Sequence, residues 1–362
     1  VSTIVPDRER PRILSGVQPS GKLHIGNYFG AIKQHIERQD RGECFYFIAD
    51  YHALTTLREA EEKEIAAAAR NKQAPRPACR ILADNVRDVA LDYLALGLDP
   101  ARAHFFRQSD VPEVCELAWI FSTVSGMGLL ERAHSYKDKV EKGITPSVGL
   151  FTYPILMAAD ILIYRSHYVP VGKDQEQHLE MTRDIAGSFN NAFGEVFPLP
   201  EAVFNDAAVV PGIDGQKMSK SYGNTIDIFA EGKALKQVVM SVVTDSTPAD
   251  QPKNPDTCNV FKLLRLFCGG DELGRIAELY RNPMLEADSR GGRPYGYGDS
   301  KSYLLGKIEA YFAPARERRK RLARDPGVVE EALTAGAQRA RELARTTLRL
   351  VRERVGMHGR PV

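Results

Sequence analysis

Two kinds of apolar pattern divide this chain. Ile13-Leu14, Cys44-Phe45-Tyr46-Phe47-Ile48-Ala49, Ala103 to Phe106 and Val169-Pro170-Val171 are short continuous blocks, the signature of strands buried on both faces of a sheet. Between them the spacing turns helical. A helical pattern opens near Gly26 and continues to Gln39. Glu59 to Arg70 is rich in helix formers, until Pro75 and Pro77 interrupt it before a helix resumes at about Ile81. Val86, Val89, Ala90, Tyr93 and Leu94 then form an apolar stripe closed by Gly97 and Asp99-Pro100. Ser109 or Asp110 is placed to cap a helix carrying the only tryptophan, Trp119. Thr152-Tyr153-Pro154 predicts a helix start with Pro154 in the first turn, where its missing N–H costs nothing. Asp174 is placed to cap a helix from Gln175 to Phe189.

Beyond Gly223 only helices are expected: Lys233 to Val243, Val260 to Cys268, Leu273 to Tyr280 and Ser302 to Arg324. A last helix opens at Asp325-Pro326 and stops near Gly356. Its apolar stripe is Val329, Leu333, Gly336, Ala340, Leu343, Thr347 and Val351. Strands alternating with helices predict an α/β fold, a doubly wound, Rossmann-like parallel sheet followed by a C-terminal helical domain. The divisions expected are a leader at 1–11, the sheet domain at 12–210, a loop at 211–225 and a helical region at 226–362. No internal repeat is present.

A chain of 362 residues holds one large core and a smaller one. No apolar run reaches membrane-spanning length and the N-terminus is charged rather than signal-like, so a cytoplasmic protein without a membrane partner is expected. The five cysteines (Cys44, Cys79, Cys115, Cys258, Cys268) are scattered and no C-x-x-C occurs. Neither a zinc site nor an iron–sulfur cluster is expected, no metal ligand is assigned, and most of the thiols are expected to be buried.

Net charge is only +2, but its distribution is uneven. Between Arg316 and Arg354 twelve Lys or Arg face six Asp or Glu. A basic tail on a slightly acidic body suits a nucleic-acid partner; a solvated helix face has the same composition. Lys137, Lys139 and Lys142 are read as solvated rather than as contacts.

Candidate chemistry begins in the stretch Leu14 to Ala31. Gln18-Pro19-Ser20-Gly21 is turn chemistry between a strand and a helix. Such a turn leaves backbone N–H groups and the positive end of a helix dipole facing a space that fits a phosphate. Gly26 lets a ligand approach the backbone, and His24 and Asn27 add donors. A plain connection would look similar. Lys217-Met218-Ser219-Lys220-Ser221 gathers two cations and two hydroxyls between Gly215 and Gly223, glycines that let a loop move; taken alone it reads as a solvated loop. His52 lies just past a buried strand, where open α/β sheets bind ligands, although a histidine there often merely packs. Tyr153, Met157, Asp160 and Tyr164 share one helix face. On so apolar a helix Asp160 needs a donor, supplied by a neighbouring cation or by a substrate.

His24-Ile25-Gly26-Asn27 and Lys217 to Ser221 closely resemble the two signatures of class I aminoacyl-tRNA synthetases, called HIGH and KMSKS. Gly16 to Gly21, Tyr153 to Tyr164 and Val171-Gly172-Lys173-Asp174-Gln175 resemble the tryptophanyl-tRNA synthetases of bacterial type, and the likeness runs from about Arg12 to Gly356. It implies activation of L-tryptophan with ATP and Mg²⁺, transfer to the tRNA for tryptophan, and a homodimer. Lys217 and Lys220 would take the pyrophosphate charge, with His24, Asn27 and Gln18 near the α-phosphate. Pro19, Ser20, Gly26, Gly172, Lys173, Asp174, Val210, Met218, Ser219 and Ser221 would complete the ATP site, Val210 lying against adenine. Tyr153, Met157, Asp160, His52 and Gln175 would form the tryptophan site, and the helical region would read the anticodon. Two departures stand out. Lys173 occupies a position where the family often has Glu, and 59–80 is the least family-like segment.

Indole offers one N–H donor and no acceptor, and an ionised carboxylate only accepts, so Asp160 suits it. A tyrosine hydroxyl also donates, so Asp160 alone leaves a tyrosyl-tRNA synthetase open; the runs at Gly16 to Gly21 and Gly172 to Gln175 favour tryptophan. A small-molecule adenylyltransferase shares a HIGH-like turn but lacks the lysine loop and helical tail. Nothing in the sequence excludes a paralogue that binds tRNA or another protein without aminoacylating, although the intact motifs weigh against it.

Overall fold

Five strands, all parallel, form one sheet in the order β3-β2-β1-β4-β5: β1 Arg12–Val17, β2 Glu43–Ile48, β3 Ala103–Arg107, β4 Tyr168–Val171 and β5 Glu201–Phe204. The structure is a computed structural model and describes residues 10–133, 136, 137, 141, 147–204 and 209–357. Lys139 and Lys142 lie outside the described residues; Lys137 is exposed. The chain divides into two compact units, one comprising 1–21, 35–205 and 322–362, the other 22–34 and 206–321.

In the first unit β2 pairs with β1 along its whole length, from Arg12 opposite Glu43 to Val17 opposite Ile48, and with β3 on its other side. Phe45 and Tyr46 are almost wholly buried, which is why that block is apolar without alternation. The strand order reverses between β1 and β4, so the sheet has a topological switch point there, the place where doubly wound folds bind ligands at the carboxyl ends of their strands. β5 has no counterpart among the sequence-based expectations. It is a four-residue edge strand with only Val203 buried, too short and too exposed to leave an apolar block.

The longer helices of this unit are α1 Leu57–Asn71, α2 Ala78–Leu96, α3 Glu113–Val124, α4 Val148–Ile163 and α5 Glu176–Phe193. Three helix starts differ from expectation. α4 begins at Val148 with Ser147 as cap, its side chain accepting from the Leu150 N–H at 3.2 Å, so Pro154 stands inside the helix. Being apolar nearly all round, α4 has no polar stripe to mark its register. Ser109 and Asp110 form a short 3-10 turn with Gln108, and α3 starts only at Glu113. Gln175, not Asp174, takes the cap position of α5. Of the cysteines only Cys44 and Cys258 are buried; Cys79 and Cys115 are exposed and Cys268 is intermediate, so most of the thiols are not core residues.

The last helix, Pro326–Arg354, begins at the expected proline and packs within this first unit, against β3. Gly336 sets how closely it approaches: a Cβ there would lie 2.0 Å from the carbonyl oxygen of Phe105. The basic tail is partly spent on this docking. Arg341 and Arg345 both bond the Glu113 carboxylate, Arg352 pairs with Glu116, and Arg339 donates to His104 Nδ1 and the Pro100 carbonyl. Burial pushes the Glu113 carboxyl up, yet the two guanidiniums hold it below the usual range. Arg345 is thus an ion-pair partner rather than only an outward-facing charge.

The second unit holds the helical turn Ile25–Asn27, the π-helical stretch Tyr28–Ile32 and the helices α6 Gly232–Met240, α7 Asn259–Leu264 and α8 Gly270–Arg281, with most of α9, Tyr297–Arg324. Tyr28, Phe29, Phe267, Tyr311 and Phe312 pack as edge-to-face and tilted rings, with centroids from 4.9 Å apart for Tyr311–Phe312 to 6.2 Å for Phe267–Phe312. Arg316 is buried and donates from Nε to the Ile228 carbonyl at 3.0 Å. Lys320 pairs with Glu231 and Glu317.

Two substitutions test the docking of the last helix. Gly336→Ala should cost about 1–3 kcal/mol through overpacking against β3, read as a lower melting temperature, although alanine is the better helix former; an unchanged or raised value would show that the helix can shift freely. Arg345→Glu should destabilise by up to about 1 kcal/mol, and Arg349→Glu, with no ion pair among the described residues, should not. Equal melting curves for the two would remove the Glu113 pair from the account.

Candidate active site

In the first unit the polar groups collect at the carboxyl edge of the sheet. Gln18, Pro19 and Ser20 follow β1, His52 follows β2, Gln108 follows β3, and Gly172 to Gln175 follow β4. Gln18 and the Gly172 turn therefore stand on either side of the switch point. The Gln18 amide donates to the His52 carbonyl at 3.4 Å, and the Ser20 N–H bonds the Gln18 carbonyl at 2.9 Å.

Asp160, on α4, is 2% exposed. His52 Nε2 lies 2.8 Å from its Oδ2, and Gln108 Nε2 donates to both oxygens at 2.8 Å. Burial pushes this carboxyl above its usual range, against the His52 and Gln108 bonds that pull it down. The Tyr153 hydroxyl bonds His178 Nε2, and its ring meets the His52 ring edge-on at 6.2 Å. Met157, half-buried, packs against the core of the unit. Of the expected tryptophan set, His52, Tyr153 and Asp160 are thus brought together, while Gln175 closes the β4 turn through its N–H to the Gly172 carbonyl. Lys173 is exposed, pairs with Glu176 at 3.6 Å and lies over the Phe204 ring. The Asp174 side chain lies outside the described residues.

Gln108 and His178 belong to this group and were not read from the sequence. Gln108 sits one residue beyond β3 and His52 four beyond β2, both past the carboxyl end of a buried strand, so the rule that singled out His52 would have found Gln108. His178 lies inside a helix and carries no such signal.

The two signatures meet in the second unit. His24 caps the turn Ile25–Asn27 reciprocally: its Nδ1 accepts the Asn27 N–H at 3.3 Å, and Asn27 Oδ1 accepts the His24 N–H at 3.1 Å. With Nδ1 an acceptor, the neutral ring carries its proton on Nε2. Burial, reinforced by Lys220 and opposed by Asp227, lowers the His24 pKa to about 4. The segment is held by backbone bonds from Ile25 N to Ile226 O and from Ile228 N to Leu23 O. Gly26 donates its N–H to Met218 Sδ at 3.3 Å, and a Cβ on Gly26 would lie 2.9 Å from His24 Nδ1 and 3.2 Å from Met218 Cβ.

The lysine loop closes a small hairpin in which Met218 N bonds Val210 O and Gly212 N bonds Gln216 O, with Gly215 turning at φ 86°. Val210 is buried. Ser219 then caps the 3-10 turn Lys220–Tyr222 by accepting the Ser221 N–H. Lys217, Lys220 and Ser221 are exposed and Met218 is buried, so the loop turns its cations outward and anchors through sulfur. Asn224, absent from the sequence-based set, is the post beneath it. At 2% exposure, its Nδ2 donates to Asp214 Oδ1 and the Lys217 carbonyl, and its Oδ1 accepts the Ser219 N–H at 2.7 Å.

A family model described as tRNA synthetases class I (W and Y) matches residues 6–282. The chain belongs to this family. Within it, the tryptophan–tRNA ligase of Fusobacterium nucleatum is 50% identical over 350 residues, which is 96% of this chain and 98% of that protein. The tryptophan–tRNA ligase of Rhodopirellula baltica is likewise 50% identical, over 96% of this chain and 99% of its own. The crystal structure of Campylobacter jejuni tryptophanyl-tRNA synthetase with ADP and tryptophan superposes with a TM-score of 0.83 at 47% identity, covering 95% of this chain and 99% of that one. For a class I synthetase the second-unit group offers neutral donors and exposed cations, chemistry suited to phosphates. The first-unit group offers a buried acceptor inside an apolar helix, chemistry suited to an aromatic N–H. Among the described residues no group of three His, Cys, Asp or Glu could hold a metal ion, and no helix is long and apolar enough to cross a membrane.

Asn224→Ala would strip the Ser219 N–H and the Lys217 carbonyl of their partner. Trypsin should then cut after Lys217 and Lys220 several-fold faster, with stability lower by about 1–3 kcal/mol. Unchanged cleavage at both lysines would show that the loop holds its shape without Asn224.

Proposed function

We propose that this chain is a tryptophan–tRNA ligase. A carboxylate oxygen of L-tryptophan attacks the α-phosphorus of ATP, the bond from that phosphorus to the bridging oxygen breaks, and pyrophosphate leaves. A ribose hydroxyl at the end of the tRNA for tryptophan then displaces AMP from the adenylate. The observation that carries this reading is the end-to-end match, at half identity, to tryptophan–tRNA ligases.

Attack on phosphorus asks little covalent help of a protein. It asks for alignment and for charge placed where the phosphates separate. Lys217 and Lys220 take the pyrophosphate charge, with the Ser219 and Ser221 hydroxyls and the Met218 backbone beside them. In the second unit His24, fixed as an Nε2–H donor, serves the α-phosphate region with Asn27 and the Gly26 backbone; in the first unit Gln18, Pro19 and Ser20 are the ATP contacts of the turn after β1. The β4 turn meets adenosine through Gly172, the Lys173 backbone and Asp174, and Val210 stands near adenine. The Lys173 side chain, already occupied by Glu176 and Phe204, takes no part. Among the described residues no group of three His, Cys, Asp or Glu could cage a metal ion; Mg²⁺ brought with the nucleotide would add positive charge at the phosphates. Indole lies between Tyr153 and Met157 with its N–H on Asp160, and His52 and Gln175 complete that site. Exposed Lys233, Lys236 and Arg321 of the second unit are the cations offered to tRNA phosphates. A cytoplasmic homodimer is the setting that the family resemblance supports.

ATP–pyrophosphate exchange with each of the twenty amino acids tests the assignment directly. Tryptophan alone should support it at low concentration; a preference for tyrosine would replace the reading with the tyrosine branch, and no exchange at all would favour a binding paralogue. Lys220→Ala should slow single-turnover adenylate formation by roughly 10²–10³ while barely changing tryptophan binding. An unchanged activation rate would take Lys220 out of the mechanism.

A further inference from the structure

Asp160 is held by a residue to which the reading above gives no role. Gln108 is 1% exposed, and its amide is fixed at both ends. Its Oε1 accepts the backbone N–H of Tyr51 at 3.1 Å and of His52 at 3.4 Å. Only one orientation of the amide does this, so Nε2 must face the carboxylate, where it donates to Oδ1 and Oδ2, each at 2.8 Å. With His52 Nε2 also on Oδ2, that oxygen receives two donors and Oδ1 only one. A carboxylate oxygen accepts two hydrogen bonds comfortably, so Oδ1 keeps one lone pair uncommitted among the described residues.

We propose that Gln108 is a positioning residue for tryptophan selection: it fixes Asp160 as a pure acceptor and leaves Oδ1 one site, which the indole N–H takes. The inference rests on the tryptophan reading and extends it to a residue that does not touch the substrate. The physical logic is a proton inventory. A buried carboxyl gains from picking up a proton, and a protonated Asp160 would present an O–H where indole needs an acceptor. Gln108 opposes this, because an acid proton on either oxygen would meet an amide N–H already pointing at it. The other groups around Asp160 are few. Asp50, in the turn after β2, favours protonation; His52 opposes it; Cys115 on α3 and Tyr164 one turn along α4 are neutral neighbours whose own ionisation is pushed up.

The two replacements of Gln108 should respond to pH in opposite directions. Gln108→Met keeps the length and removes the donor, so the carboxyl protonates more readily. The KM for tryptophan in pyrophosphate exchange should rise roughly ten- to a hundredfold as pH falls from 8 to 6, with the KM for ATP steady. Gln108→Glu is nearly isosteric. At low pH the introduced acid is protonated and restores a donor, whereas at high pH two carboxylates face each other. Its KM for tryptophan should therefore rise with pH. The unaltered chain should show neither trend, and discrimination of tryptophan against phenylalanine should erode wherever KM rises. Melting curves over the same pH range separate these effects from loss of the fold, and Gln108→Glu serves if Gln108→Met does not fold. Two variants with the same slope, or with pH-independent KM for tryptophan, would overturn the proposal while leaving the tryptophan reading intact. Absence of tryptophan-dependent exchange in the unaltered chain would overturn both.

Discussion

An ionised carboxylate cannot be buried without donors, and the first unit is arranged around that constraint. Asp160 lies on α4, a helix with apolar residues almost all round, at 2% exposure. Left unpaired there it would cost several kcal/mol or give up its charge. The donors come from elsewhere in the chain, His52 from the turn after β2 and Gln108 from the turn after β3. Those turns are adjacent because β2 and β3 are paired in register, Ile48 opposite Arg107. The pairing of two strands therefore delivers what the helix above them requires. Ser109 adds a further tie, its backbone N–H donating to Asp50 in the β2 turn at 2.9 Å. An acceptor held this firmly can be specific, because the site loses a bond whenever a ligand without a donor enters.

The second unit solves the opposite problem. On the proposed reading its cations meet phosphates, which calls for charges that can move and donors that cannot: Lys217 and Lys220 are exposed, while the backbone between and beneath them is fixed. The fixing is done by neutral groups: Met218 sulfur accepting from Gly26, and Asn224 reaching Asp214, Lys217 and Ser219. Gly212 shows how tight the arrangement is, for a Cβ there would lie 2.3 Å from the Asn224 amide nitrogen. A charged residue in the place of Asn224 would either attract the lysines or need its own partner. An amide both donates and accepts, and so can bind a carbonyl and an N–H of the same turn.

What the sequence disclosed follows the same physics. β1 to β4 were legible because strands buried on both faces are unbroken apolar blocks, and β5 was not because an exposed edge strand of four residues makes none. His24, Lys217 and Asp160 stood out because they are charged or titratable residues in informative places. Gln108 and Asn224 are neutral amides, common on any surface, and only their burial gives them away. The tail shows the limit from the other side. Its excess of arginines was plain, but Glu113 and Glu116, which neutralise Arg341, Arg345 and Arg352, lie more than two hundred residues earlier. A count of charge along a helix says nothing about partners that the fold brings from so far away.

The protonation states of the two groups suit a reaction whose first step moves no proton. In adenylate formation an anion attacks and an anion departs. A site built for proton transfer would hold a histidine poised near neutrality. His24 is driven the other way: burial comes first, the Lys220 charge adds to it, and Asp227 offsets them only in part, leaving a pKa of about 4. Its Nδ1 is tied up by the Asn27 N–H. What remains is an uncharged ring with one N–H, which places no second cation beside the lysine loop and gives no proton away. On the proposed reading His24 would donate a hydrogen bond to a phosphate oxygen as charge develops there, and the same burial that makes it a poor base keeps it a neutral N–H donor throughout the neutral pH range.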